Sequence, residues 1–194
     1  MSSITWRAWV SPNPDMSSIT VFTAPFCEGD RHSHELLRKA ARLLVGQDPG
    51  SIAHGDHGKP FFPDMPRLNF SISHSGMFWM CAFSERPVGI DLQRHGSYVP
   101  PETLSRRFFH PLEDAFLQRE GYQRFYDLWT AKESFVKFIG TGFYTEPETF
   151  SVVSESGEFP TASGAQLRHI PFREGYSLCL CSEEIDGIVL REMN

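Results

Sequence analysis

The sequence lacks several of the patterns that assign a chain to a familiar class. Its four cysteines include no CxxC pair, which argues against a zinc knuckle or a dithiol redox motif. A glycine-rich phosphate loop such as GxxxxGKS is also missing, so a P-loop nucleotide enzyme is not indicated. No apolar run approaches the ~20 residues that a membrane helix requires. The formal net charge of -6 at pH 7 has the wrong sign for a global attraction to nucleic acid.

The N-terminal sequence and the cysteines also indicate where in the cell the protein is located. The N-terminus has no basic region followed by an apolar stretch, so we expect no signal peptide. Cys179 and Cys181 alternate within an apolar run, as buried strand thiols do, which favours structural thiols in a reducing compartment. We therefore expect a cytoplasmic protein that binds neither a membrane nor nucleic acid.

The composition that is present is typical of a folded protein. Of 194 residues, 40% are hydrophobic and 22% are charged, which suits one good-sized core or two small halves packed as one unit. The 17 phenylalanines predict a core rich in aromatic rings. An acidic or phosphorylated partner would need a local basic patch on this acidic background. The candidates are Arg38, Lys39, Arg42, Arg106 and Arg107.

Hydrophobic periodicity predicts strands, one helix, more strands, three helices and then strands again. The predicted strands cover 4–10, 18–24, 68–74, 78–83, 88–93, 149–154, 166–172, 176–181 and 187–191. The predicted helices cover 31–45, 102–108, 111–120 and 122–139. Turn signals join the three strands between residues 68 and 93, which favours an antiparallel meander. This order predicts an α+β architecture with antiparallel sheets.

Cap residues bound the predicted helices. Asp30 or Ser33 can cap the start of the first helix, and Gly46 fits its end. Pro101 can open the second helix, and Gly140 closes the last one.

The segment FSISHS is the first that can carry chemistry. As a strand it places Phe70 and Ile72 on one face and Ser71 and Ser73 on the other, and it ends near His74. Hydroxyls and an imidazole at a strand end can bind phosphate. Polar strand ends are common, so a surface histidine without a ligand is the competing interpretation.

The segment VGIDLQ is the second. Asp91 and Gln93 share one face of a strand whose other face is apolar. A carboxylate in such a segment needs a partner or a cation, and two oxygen ligands suit a hard cation such as Mg²⁺. A half-exposed strand whose polar face meets water explains the pattern equally well.

The segment WTAKESFVKFIG is the third. Glu133 and Lys137 are four residues apart and share a helix face. A carboxylate beside an ammonium group can hold a metal and neutralise a phosphate. The alternative is an ordinary surface ion pair, worth about 0.3–0.5 kcal/mol.

Together with Gly58-Lys59-Pro60 upstream, the ordered set resembles a known family. GKP, FSISHS, GIDLQ and WTAKESFVKFIGTG occur in the order and spacing of the 4'-phosphopantetheinyl transferases of the larger, surfactin-synthetase-activating type. Arg106-Arg107-Phe108-Phe109 is also similar to the segment between the last two motifs. The likeness covers residues 30–150, which is most of the chain.

The resemblance implies a fold of two similar α+β halves with antiparallel sheets and packed helices, related by a pseudo-twofold axis. The ligand would lie in the cleft between the halves. We expect the halves to be 1–95 and 96–194, forming one compact catalytic unit, and the protein to be a monomer.

The resemblance also implies a metal site. Asp91 and Glu133 would be Mg²⁺ ligands, one from each half. Many relatives carry an acid where this chain has Gln93, whose neutral amide oxygen is a weaker ligand that would bind the metal directly or through water.

For coenzyme A, the resemblance assigns Lys59, Ser73 and His74 to the adenosine end, with His74 at the 3'-phosphate. Lys137 would face the diphosphate. The chain is poor in Lys and Arg before the first helix, and Arg42, with Arg38, is the candidate to complete the 3'-phosphate site.

The implied reaction is a Mg²⁺-dependent transfer of 4'-phosphopantetheine from coenzyme A to a serine of an apo acyl, peptidyl or aryl carrier protein, releasing 3',5'-ADP. Glu133, or a water that it orients, would act as the base, and Lys137 would offset charge on the phosphate. A non-catalytic coenzyme A or carrier-binding module is the rival, which only Gln93 favours. An unrelated Mg²⁺-dependent nucleotide enzyme is a third possibility.

Overall fold

A computed structural model of the chain describes residues 4–6, 18–27, 32–96, 98–142 and 145–193. The α-helices within these ranges are α1 (Ser33–Val45), α2 (Pro101–Phe108), α3 (Pro111–Arg119) and α4 (Phe125–Ile139). The strands are β1 (Ile4–Trp6), β2 (Ile19–Pro25), β3 (Ala53–His54), β4 (Pro60–Phe61), β5 (Asn69–Ser75), β6 (Phe78–Ser84), β7 (Val88–Arg94), β8 (Gln166–His169), β9 (Tyr176–Ser182) and β10 (Ile188–Glu192). The predicted α+β class is confirmed.

The strands form three sheets. The largest has the order β1-β10-β2-β6-β5, the second has the order β7-β9-β8, and β3 pairs with β4 alone. All pairs are antiparallel except those of β10, which lies parallel between β1 and β2. The last strand of the chain therefore completes the sheet that the first strands begin. The division into 1–95 and 96–194 stays a prediction.

The predicted meander is wrong in its third strand. β5 and β6 pair as a hairpin, but β7 joins the second sheet and pairs with β9 from Val88 to Arg94. β7 still lies beside β5, because serine side chains of β5 accept hydrogen bonds from its backbone. The backbone nitrogens of Ile90, Leu92 and Arg94 in β7 thus donate to serine hydroxyls of β5, whereas in a meander they would donate to carbonyl oxygens of β6.

The core consists of three apolar clusters. One lies between α1 and the large sheet and includes Leu37, Phe70 and Trp79. A second fills the space between the two larger sheets, and the third surrounds α3 and α4. Phenylalanines occupy the first and third clusters, as the composition predicts. The large sheet is thus covered on both faces, which explains why the described part of β2 is almost wholly buried.

The helix boundaries follow local chemistry in most places. Gly46 and Gly140 end α1 and α4 in the left-handed conformation, as predicted. Ser33 does not cap α1, since its hydroxyl accepts a hydrogen bond from Trp79 Nε1 (2.9 Å); the alternative cap, Asp30, lies outside the described residues. α4 begins at Phe125 rather than 122 because Tyr122 has a φ of 61°, which no right-handed helix allows.

The strand predicted over 149–154 is wrong. The chain forms a short 3-10 helix, Pro147–Thr149, and then an irregular segment. The backbone nitrogen of Val152 donates to the carboxylate of Glu113 (2.8 Å) instead of to a neighbouring strand. Of the predicted first strand, residues 7–10 lie outside the described part of the chain.

Cys81, Cys179 and Cys181 are buried free thiols, whereas Cys27 is exposed. In the described part of the chain, no helix has both the length and the apolar character needed to cross a membrane.

Candidate active site

The site is built where α4 crosses β7. A Cβ added to Gly89 of β7 would overlap the carbonyl oxygen of Ser134 and lie 2.5 Å from the backbone nitrogen of Phe138. Only glycine lets the helix approach the strand this closely. The contact brings two of the three sequence motifs together, since Asp91 lies two residues beyond Gly89 and Glu133 precedes Ser134.

Asp91 is 3% exposed, and its two oxygens have different surroundings. Oδ1 accepts hydrogen bonds from Lys137 Nζ (2.6 Å) and Ser73 Oγ (2.8 Å). Oδ2 is buried and has no hydrogen-bond partner among the described residues. A buried carboxylate oxygen left in this way is costly, so the geometry favours a ligand at Oδ2.

Glu133 lies close enough to Asp91 for the two charges to interact. Burial, followed by repulsion from the Asp91 carboxylate, raises the pKa of Glu133 above its usual value, although Lys137 and Lys132 oppose the shift. A cation between the two carboxylates would relieve both effects. The described residues hold no group of three or more His, Cys, Asp and Glu at metal-binding spacing. Two carboxylates are nevertheless sufficient for Mg²⁺, which keeps several waters and takes further oxygens from substrate phosphates.

Gln93 follows Asp91 on the same side of β7. Its Oε1 accepts a long hydrogen bond from Ser75 Oγ (3.4 Å), and the side chain is half-buried. Its role as a metal ligand stays a prediction.

Lys137 forms an ion pair with Asp91, not with Glu133 four residues earlier. Its Nζ also donates to the carbonyl oxygen of Ile90 (3.1 Å). The surface Glu133–Lys137 pair that spacing alone allows is absent from the ion pairs of the described residues. Lys137 therefore carries its charge directly to the carboxylate that would hold the metal.

Lys59 holds the loop before β4 against the end of α4. Its Nζ donates to the carbonyl oxygens of Lys137 (2.6 Å), Val88 (3.1 Å) and Phe138 (3.2 Å). Burial lowers the pKa of Lys59 to about 8. Its predicted contact with the adenosine end of coenzyme A stays a prediction, and its ammonium group is already engaged.

A cavity of about 300 Å³ lies beside Lys59. Its walls are the loop 57–60, the first half of β5 and the C-terminal end of α4 with the residues that follow. A smaller cavity of about 110 Å³ adjoins Glu133 and is lined by Phe108, Phe109 and Trp129. The two cavities therefore lie at different points along the same face of α4.

His74 is exposed and stacks on Phe26, with ring centroids 4.7 Å apart. Its cross-strand partner Trp79 is bonded to Ser33, in the first turn of α1. Arg42 lies nine residues further along α1, roughly 13 Å away at the rise of an α-helix. The structure thus connects His74 through Trp79 to the start of α1, whereas Arg42 lies on a later turn of that helix.

Arg42 and Arg38 both bind Asp48 instead. The hydrogen bond from Arg42 is the largest of the effects that lower the pKa of Asp48 to about 2. The part of Arg42 in a 3'-phosphate site stays a prediction.

The sequence interpretation missed the buried ion pair of Lys132 and Glu113. Lys132 Nζ lies 2.7 Å from Glu113 Oε2, and the two side chains are 4% and 0% exposed. Lys132 also donates to the carbonyl oxygen of Phe150 (2.8 Å), and Glu113 accepts from the backbone nitrogens of Val152 and His110. The feature of the sequence that could have indicated this pair is Lys132 itself, a lysine within the apolar stripe of α4. The pair fixes α4 to α3 directly beside Glu133.

The fold and site define an α+β protein with two interacting carboxylates, buried Asp91 and half-buried Glu133, beside Lys137, which is a donor set suited to a hard cation. The chain belongs to the 4'-phosphopantetheinyl transferase superfamily, whose family model matches residues 87–184. The matched residues contain Asp91, Gln93, Glu133 and Lys137.

Curated relatives support this membership. The chain is 35% identical over 173 residues to a 4'-phosphopantetheinyl transferase of Bacillus subtilis. This match covers 80% of this chain and 75% of the relative. It is 34% identical over 143 residues to 4'-phosphopantetheinyl transferase Sfp of Bacillus subtilis (strain 168), covering 68% and 62%. For 4'-phosphopantetheinyl transferase gsp of Aneurinibacillus migulanus the identity is 33% over 138 residues, covering 66% and 56%. The chain thus spans less than two thirds of the last two relatives.

Proposed function

We propose that the protein transfers 4'-phosphopantetheine from coenzyme A to a serine of an apo acyl, peptidyl or aryl carrier protein and releases 3',5'-ADP. The observation that carries this proposal is the environment of Asp91. One oxygen is bound by Lys137 and Ser73, and the other is buried with no hydrogen-bond partner among the described residues, while Glu133 interacts with the same carboxylate. In a member of this superfamily, that arrangement suits a diphosphate bound through a cation.

Asp91 and Glu133 would hold Mg²⁺, and Gln93 would add its amide oxygen directly or through water. When bound, Mg²⁺ supplies Lewis-acid stabilisation of the charge on the diphosphate and on the leaving group. The unpartnered Oδ2 of Asp91 and the raised pKa of Glu133 support this assignment, because each indicates a place where a positive charge would be favourable.

Glu133 is the proposed base. The hydroxyl of the carrier serine is a poor nucleophile at neutral pH, and a carboxylate placed beside the proposed metal site can accept its proton as the new bond forms. The serine oxygen would form a bond to the phosphorus that bears pantetheine, while the bond from that phosphorus to the oxygen of 3',5'-ADP breaks. The hydroxyl proton would pass to Glu133, directly or through a water that it orients.

The remaining residues would bind coenzyme A. Lys137 is half-buried beside Asp91 and would offset negative charge on the diphosphate. His74 would meet the 3'-phosphate, for which its exposure at the end of β5 leaves room, and Arg42 is proposed to approach that phosphate. Lys59 would contact the adenosine end with its aliphatic stem. Ser73 is predicted at the same end, although its hydroxyl already makes two hydrogen bonds.

We further propose that the two halves are related by a pseudo-twofold axis and act as a cytoplasmic monomer. Each half has one long helix, α1 or α4, that ends in a left-handed glycine. This correspondence supports the pseudo-twofold relation of the halves.

Incubation of the protein with apo carrier protein, coenzyme A and Mg²⁺, followed by intact-mass measurement of the carrier, tests the function. We expect the carrier to gain one phosphopantetheine group, and the gain to disappear when EDTA is added. If coenzyme A binds but acyl, peptidyl and aryl carriers all keep their mass, the protein is the non-catalytic binding module instead.

A further inference from the structure

Three serines of β5 form a ladder to β7. The hydroxyls of Ser71, Ser73 and Ser75 accept hydrogen bonds from the backbone nitrogens of Ile90 (3.1 Å), Leu92 (3.1 Å) and Arg94 (2.9 Å). Alternate residues of a strand share a face, so the three hydroxyls lie in one row. Joining the two sheets is a task that all three share.

Ser73 has a second task. Its hydroxyl donates to Asp91 Oδ1 at 2.8 Å. Ser75 makes only a long contact, 3.4 Å, to the amide oxygen of Gln93. Ser73 is 6% exposed, so water does not compete strongly for its bond to Asp91.

The hydrogen-bonding capacity of Ser73 is nearly exhausted by these contacts. A hydroxyl has one hydrogen to donate, and that of Ser73 goes to Asp91. Near neutral pH, ionised phosphate oxygens only accept hydrogen bonds. A ligand phosphate would therefore have to compete with the Asp91 carboxylate for the hydrogen bond that the Ser73 hydroxyl donates. The geometry therefore points away from a phosphate contact through this hydroxyl.

We propose that Ser73 positions Asp91 for the metal. By donating to Oδ1 from one side while Lys137 donates to it as well, Ser73 fixes the carboxylate plane and leaves Oδ2, which has no hydrogen-bond partner among the described residues, available to the metal. Groups that hydrogen-bond to metal ligands in this way typically change metal affinity 10–100-fold when they are removed. This inference rests on the proposed function, since it assumes that Asp91 holds a cation.

Mn²⁺, which takes the same oxygen ligands as Mg²⁺, serves as the probe. Its binding to the purified full chain is followed by electron paramagnetic resonance, with Mn²⁺ alone and again with saturating coenzyme A. The compared proteins are the wild type, Asp91→Ala, Ser73→Ala and Ser71→Ala. Ser71→Ala is the matched control, because it removes a ladder hydroxyl that does not touch the carboxylate.

We expect Asp91→Ala to lose Mn²⁺ binding and Ser73→Ala to weaken it about tenfold, while Ser71→Ala binds like the wild type. The thermal midpoints of both serine variants should fall, because each leaves one β7 nitrogen without its acceptor, and Ser73→Ala should fall further because it also removes a donor to the buried Asp91 carboxylate. A purely structural role of Ser73 would change the midpoint without this difference in Mn²⁺ affinity.

The outcomes separate this inference from the proposed function. If Asp91→Ala loses Mn²⁺ while Ser73→Ala binds as tightly as Ser71→Ala, the positioning role is wrong and the metal assignment stands. If Asp91→Ala binds Mn²⁺ like the wild type, or the wild type binds none under either condition, both are wrong. Transfer to the carrier is measured separately and does not enter either decision.

Discussion

At the scale of single residues, the two oxygens of Asp91 decide what the site can do. Lys137 and Ser73 neutralise and hold Oδ1, whereas Oδ2 is buried and has no hydrogen-bond partner in the part of the chain that the structure describes. Glu133 faces this carboxylate with a raised pKa. Neither side chain resembles a solvated surface group, so the water-facing alternatives left open by the sequence do not apply to them.

We expect Asp91→Asn and Glu133→Gln each to reduce transfer by at least a hundredfold, because each removes a negative charge where the cation is needed. Both amides keep the size of the carboxylate, so circular dichroism and the thermal midpoint should show a folded protein. The measurement is the initial rate of carrier modification at saturating Mg²⁺. Near-normal turnover of either variant would contradict the metal assignment.

The pH dependence of transfer should report Glu133. A base acts only when deprotonated, so the rate should rise with pH through the pKa of Glu133. Burial and repulsion from Asp91 raise that pKa, and Mg²⁺ between the two carboxylates opposes the shift, so the acidic limb should move to lower pH as the Mg²⁺ concentration is increased. The rate is measured across the acidic limb at two Mg²⁺ concentrations for the wild type and for Glu133→Asp, with the thermal midpoint recorded at each pH. A limb that keeps its position at both Mg²⁺ concentrations would argue against Glu133 as a base beside the metal.

His74→Ala should weaken binding of coenzyme A more than binding of dephospho-coenzyme A, which lacks the 3'-phosphate. A hydrogen bond to a charged group contributes about 1.5–3 kcal/mol, and the exposure of His74 favours the lower end. His74→Phe is the control, because it can keep the stacking on Phe26 without donating. Calorimetry that finds equal losses for the two ligands would remove His74 from the 3'-phosphate site.

At the scale of the elements, the packing of α4 on β7 sets the distance between the two carboxylates. Gly89 permits the close approach, and the pair of Lys132 and Glu113 holds the other side of α4. Gly89 and Lys132 lie within the motifs that the resemblance uses, and each of them has a role in packing α4.

We expect Gly89→Ala to destabilise the protein by more than the 1–3 kcal/mol typical of overpacking, roughly 3 kcal/mol or more, because its Cβ meets backbone atoms rather than a movable side chain. The free energy of unfolding in urea measures this. Gly55→Ala is the control, since the nearest atom to its added Cβ would be 3.7 Å away. Equal stability of the two variants would show that α4 can retreat from β7.

Lys132→Met should cost about 3–5 kcal/mol of unfolding free energy, because it leaves the Glu113 carboxylate buried without its cation. Lys39→Met replaces an exposed lysine on α1 and should stay within about 0.5 kcal/mol. Urea denaturation of both variants measures the difference. A small loss for Lys132→Met would mean that the backbone donors of His110 and Val152 suffice for Glu113.

At the scale of the whole molecule, an enzyme with a net charge of -6 must attract its carrier locally. Arg106 and Arg107 are both exposed on α2, and Arg107 lies over the ring of Phe108. Phe109, by contrast, is buried and contributes little surface for docking. Two interpretations of carrier docking therefore remain: attraction by the charges of Arg106 and Arg107, or apolar contact through a small patch on α2.

Reversing both arginines, Arg106→Glu and Arg107→Glu, should raise the apparent KM for the carrier severalfold and leave that for coenzyme A nearly unchanged. The carriers implied by the family resemblance are acidic, and exposed charges are screened beyond roughly 8 Å at physiological ionic strength. Added salt should therefore weaken the carrier interaction of the wild type. A salt-insensitive KM would favour apolar docking through Leu104 and Phe108.

The sequence by itself determined the local features: the strand positions of Asp91 and Gln93, the helical spacing of Glu133 and Lys137, and the helix ends at Gly46 and Gly140. Each depends on residues a few positions apart, whose alternation or capping chemistry is visible in the sequence. Only the tertiary structure decided that β7 pairs with β9 instead of β6 and that β10 lies between β1 and β2. It also decided that Lys137 and Ser73 both donate hydrogen bonds to Asp91. Those contacts join residues 18 to more than 100 positions apart. They are selected by packing of the whole chain, which no local pattern records.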